Sequence, residues 1–88
     1  MTNHPNRSRL GQAIDTASAI IASGSVTLMD DPAHDAGVLA RYEAALLVID
    51  RAIIAYSGSL ASPLYKRADE QRTTFRLVIE GIRSRMAA

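Results

Sequence analysis

Between Val38 and Tyr56 the sequence reads VLARYEAALLVIDRAIIAY. Within it Leu39, Tyr42, Leu46, Ile49, Ile53 and Tyr56 follow one another at alternating spacings of three and four residues. That is the repeat of one helical face. Val38, Ala45, Val48 and Ala52 widen the face, and Arg41, Glu43, Asp50 and Arg51 are the only charges in the stretch. A helix this apolar on several sides is expected to be covered on several sides. It is therefore read as the central rod of a small helical bundle. Leu47 and Ile54, one heptad apart, stand off the main face on the flank of Glu43, Asp50 and Arg51.

The rest of the chain supplies two partners for this rod. Residues 1–7 are polar, contain Pro5, and are expected to be a flexible arm. Residues 8–88 are read as one helical domain. Asn6 or Ser8 is a candidate cap for a first helix, whose stripe is Leu10, Ile14, Ala17 and Ile21. Its alanines permit close approach to a neighbour, and Gly24 suits its end. Asp31-Pro32 and Ser62-Pro63 are start signals, a capping side chain followed by a proline that needs no hydrogen-bond acceptor. Ser57-Gly58-Ser59 is a stop. The third helix carries Leu64, Ala68, Gln71, Phe75, Val78, Ile82 and Met86 on its inner stripe. The expected fold is all-α, a small antiparallel three-helix bundle with helices at about 8–23, 32–56 and 63–86. The first helix would be about 24 Å long and the others about 36–38 Å. The uncovered groove would be closed by the apolar segment Val26–Met29 or by a second copy of the chain.

An 88-residue chain makes one domain. It lacks cysteine and so has neither a disulfide nor a thiolate metal site. Its longest apolar run, Ala44–Ile49, is far short of the roughly 18 residues that span a bilayer. A soluble cytoplasmic protein without a membrane association is the expectation. Net charge is +1, but unevenly spread: residues 11–62 balance to −4 and residues 63–88 to +3. Such asymmetry suits outer helices that pair with the central one, or a basic surface with an anionic partner.

Candidate chemistry is sparse. Asp30, Asp31, His34 and Asp35 surround a helix start, where acids satisfy free N–H groups and the macrodipole. Capping is preferred there over a metal site. The chain contains neither G-x-S-x-G nor either glycine-rich phosphate motif. His4 lies in the arm, and the serines cluster at helix ends. No catalytic activity, cofactor or metal is expected. Two surface features remain. Arg72, Arg76 and Arg83 share one narrow strip of the third helix; they either pair with Asp69, Glu80 and the acids of the second helix or contact an acidic protein or phosphates. Leu47 and Ile54 form a second ridge, which a bent bundle buries or a partner covers.

The preferred function is a non-catalytic helical protein–protein interaction module, an adaptor, regulator or inhibitor. Its contact residues would be Leu47, Asp50, Arg51 and Ile54, with Arg72, Arg76 and Arg83 as a charged rim. A homodimer is favoured over a lone protomer. The alternative is a nucleic-acid-associated protein using the same arginines with Arg7 and Arg9. In its small size and its lack of cysteine and of site motifs, the chain is similar to accessory proteins of phages and plasmids. Among these are small inhibitors of host defence complexes, such as anti-CRISPR proteins, and the resemblance implies a role in occupying a binding surface.

Overall fold

The computed structural model describes residues 5–23 and 32–87. Three helices account for nearly all of them: α1 (Pro5–Ala22), α2 (Pro32–Ala55) and α3 (Pro63–Ala87). Each begins on a proline. At a first helical position the missing N–H would have had no acceptor, and the fixed φ is already helical. For α2 and α3 this matches the expected start. For α1 it moves the start to Pro5, so residues 5–7, assigned above to a flexible arm, are helical. Asn6 and Ser8 consequently lie inside the helix and not at its cap. The segments around Gly24 and Val26–Met29 lie outside the described residues.

The bundle is antiparallel. The Gln71 side-chain amide donates to the Ser18 hydroxyl at 3.1 Å, and Gly11 lies beside Leu64, so α1 and α3 run in the same direction. Along α3, Arg76, Arg83 and Arg85 meet Asp50, Glu43 and Asp35 in falling order on α2, which runs the other way. Leu10, Ala13, Ile14 and Ala17 of α1 pack with Ala45, Ile49 and Ile53 of α2 and with Ala68 and Phe75 of α3. The small residues Ala17, Ala45 and Ala68 are fully buried at the centre, where they let the three backbones approach. Tyr42 meets Phe75 edge-on, with ring centroids 5.7 Å apart and an interplanar angle of 83°. Such offset geometries complement the ring quadrupoles.

The turn after α2 is built around one aromatic side chain. Tyr56 stacks on Tyr65 with centroids 5.2 Å apart. Its hydroxyl donates to the Ser59 carbonyl at 2.9 Å. A Cβ added to Gly58 would lie 2.5 Å from that hydroxyl oxygen, so glycine is used here for closeness. The Ser62 carbonyl then accepts the first bond of α3, from the Lys66 amide at 3.0 Å.

Helices of 18, 24 and 25 residues are about 27, 36 and 38 Å long. α1 therefore lines only the half of the α2/α3 pair nearest the Tyr56 turn. Val38, Ile79 and Ile82 are buried in the other half. Met86, expected on the inner stripe, is 44% exposed because it sits in the last turn. No described helix is long and apolar enough to cross a membrane.

Within the protomer α2 is covered on part of its circumference only. Its buried centre is Val38, Ala45, Ile49 and Ile53, while Leu39 and Leu46 are only half-buried. With neighbours on two adjacent sectors only, the remaining sector is bare. Ala36, Ala40, Ala44, Leu47, Arg51 and Ile54 are all exposed there. Leu47 and Ile54 keep 51% and 83% of their surface, so no bend of the bundle buries them.

Candidate functional site

The third side of the bundle carries a groove of about 290 Å³ between α2 and α3. α2 contributes Glu43, Leu46, Leu47 and Asp50, and α3 contributes Arg76, Ile79, Glu80 and Arg83. Helical periodicity explains the pattern. Glu43 and Asp50 are seven residues apart, as are Arg76 and Arg83, so each pair lies on one edge of its helix. Antiparallel packing then sets Asp50 opposite Arg76, with 3.5 Å between charged atoms, and Glu43 opposite Arg83 in a direct contact. Two ion pairs fence an apolar floor of Leu46 and Ile79, and Leu47 stands on the α2 lip.

Of the seven residues singled out from the sequence, Leu47, Asp50, Arg76 and Arg83 come together in this groove. Arg51 and Ile54 lie beside it on the exposed strip of α2. Arg72 does not join them: it pairs with Asp69 one turn earlier on α3, and its Nε is buried without an acceptor among the described residues. Arg76 takes Asp50 and not its i+4 neighbour Glu80. The three arginines of the strip thus each face a carboxylate within the protomer. Glu43, Leu46, Ile79 and Glu80 were not among the residues singled out. The matching heptad spacings of the acids on α2 and the arginines on α3 were the signal that could have added Glu43.

A fourth pair lies at the far end. Arg85 donates to both oxygens of Asp35, from Nε at 3.1 Å and from Nη2 at 2.6 Å. The Asp35 side chain is only 7% exposed, against 42% for Arg85. Asp35, placed by sequence with the capping acids of α2, is thus clamped bidentately by a residue fifty positions away. Asp30 and Asp31 lie outside the described residues. Among those described, no three His, Cys, Asp or Glu side chains are grouped to hold a metal ion.

A two-walled apolar trough with fixed charges along its rim suits contact with a protein surface through both burial and complementary charge. The chain matches no known family model, and no curated protein or solved structure is significantly similar to it, so its functional reading rests on this geometry alone.

Proposed function

We propose that this chain is a non-catalytic protein-interaction module of the cytoplasm, acting as an adaptor, regulator or inhibitor. It presents the outer strip of α2 and the adjoining α2/α3 groove, both to its own kind and to a protein target. The observation that supports this most directly is the exposure of Leu47 and Ile54 on one continuous helical edge. Single exposed leucines are ordinary, but two large aliphatics in register beside an apolar groove form a patch of the kind that partners cover. The charged rim, Asp50–Arg76 and Glu43–Arg83, supplies orientation. The nucleic-acid alternative draws less support, because Arg72, Arg76 and Arg83 already face carboxylates of the protomer.

The test is diffusion of fluorescently labelled protein in a lysate of its source cell, compared with the purified chain at the same concentration. Slower diffusion in the lysate is expected. It should be lost in the double variant Leu47→Asp/Ile54→Asp while the far-ultraviolet circular dichroism is retained. Unchanged diffusion of the parent overturns the proposal. So does a complex that nuclease removes, or that dissolves between about 50 and 200 mM salt as phosphate contacts do.

A further inference from the structure

The exposed edge of α2 has a property that selects its occupant. Centred on Leu47, the sequence of the strip is complementary to its own reverse. Four residues before Leu47 stands Glu43, and four after it stands Arg51. Seven before stands Ala40, and seven after stands Ile54. All five are exposed. We infer that a second copy of this chain docks here, α2 against α2, antiparallel, with the two-fold axis passing by Leu47. The inference rests on the reading of the α2 edge as a contact surface and names what covers it.

In that arrangement each position meets the one equally far on the other side of Leu47, as an isologous interface requires. Ile54, the most exposed large aliphatic of the described residues, meets Ala40 of the partner subunit, a large side chain against a small one. Leu47 meets its own symmetry mate on the axis. Glu43 meets Arg51 of the partner subunit, and the contact occurs twice. Arg51 makes no ion pair within the described protomer, so its charge is available. Glu43 already receives Arg83, but a carboxylate has lone pairs enough for a second donor. Asp50 is drawn toward α3 by Arg76 and is kept away from the seam. A parallel pairing in register is disfavoured: it sets Glu43 against Glu43, Arg51 against Arg51 and Ile54 against Ile54. The strip is one helix wide, so the interface is at the small end of specific contacts and the dimer is reversible.

The test uses sedimentation of the purified full chain from about 5 to 200 µM, a range that spans the dissociation constant of a small interface. A concentration-dependent shift from monomer to dimer is expected. Arg51→Glu breaks no ion pair among the described residues, and it should weaken the dimer at least about tenfold by setting like charges together twice. Glu43→Arg should do the same. Mixing the two weakened variants should restore dimer, because each then supplies the charge the other lacks; a parallel pair would also gain on mixing, but neither single reversal would weaken it, because like charges already face each other there. As the chain has no cysteine, Leu47→Cys should form an intermolecular disulfide on mild oxidation, whereas Leu77→Cys, exposed on α3, should not.

A monomer at every concentration overturns the inference, and the lysate diffusion then decides separately whether the edge serves a different protein. A dimer indifferent to both charge reversals, or not restored by mixing them, or linked through position 77 and not 47, also overturns it.

Discussion

Asp35 and Arg85 show what a single residue contributes when its surroundings are dry. The Asp35 carboxylate is buried, and both of its oxygens are taken by one guanidinium. Removing that partner leaves a charge out of water with no donor, which costs more than the pair gains when intact. Arg85 is itself partly exposed, which screens the interaction, so the loss on Arg85→Ala is expected at about 1–3 kcal/mol. Arg83→Ala is the control. Its pair with Glu43 is solvent-exposed on both sides, and the expected change is within about 0.5 kcal/mol. Urea unfolding of the two variants checks the contrast, and equal losses would show that burial of Asp35 is not what matters. Nothing local in the sequence announced this clamp. Asp35 follows a proline at a helix start, the setting of a capping acid. What separates a clamp from a cap is the register of α3 against α2, which is a property of the folded bundle.

Helices were more legible than residues. The three-and-four spacing, the Asp-Pro and Ser-Pro starts and the Ser-Gly-Ser stop locate α2 and α3 to within one residue, because these signals act within one turn of the chain. The start of α1 was misplaced by three residues, since Pro5 was read as marking a mobile arm and not as a first helical position. Periodicity also oriented α2: Val38 and Ala45, read on its main face, are buried, while Leu47 and Ile54, read off that face, are exposed. What it left open was whether a bend of the bundle or another molecule covers the second ridge, because that depends on how the helices pack. Two glycines make an element-level prediction. Gly37 in α2 and Gly81 in α3 have open space where a Cβ would be, and neither has positive φ. Alanine at either position should stabilise by about 0.5–1 kcal/mol through helix propensity and a less flexible unfolded chain. The double variant should melt roughly 4–16 °C higher. No increase would mean that the glycines serve a contact, and the α2/α3 groove or the dimer would be the place to look for it.

At the scale of the molecule the dominant fact is length. The principal extents are 48 × 21 × 16 Å and the radius of gyration is 14.6 Å, against about 12 Å for an 88-residue sphere-like domain. An elongated shape has much surface for its volume, so a core built from few side chains must be shared by all three helices. Leu10, Ala13, Ile14 and Ala17 come from α1 alone. If α1 is the lid of that core, a fragment of residues 32–88 should lack a cooperative transition. It would keep the ladder of three ion pairs that joins α2 to α3, including the Asp35–Arg85 clamp, but would expose Ala45, Ile49, Ile53, Ala68 and Phe75 to water. Surface ion pairs contribute little each, and Val38, Ile79 and Ile82 at the far end are too small a core to replace what is lost. The expected result is low helicity and a broad, non-sigmoidal thermal curve by circular dichroism, with sharp melting recovered when a peptide of residues 1–23 is added in excess. Recovery is the informative part. Added peptide that binds and restores cooperativity shows that α1 stabilises by covering α2 and α3, whereas a fragment that melts sharply alone shows that the ladder and the Val38–Ile79–Ile82 end form a folding unit by themselves.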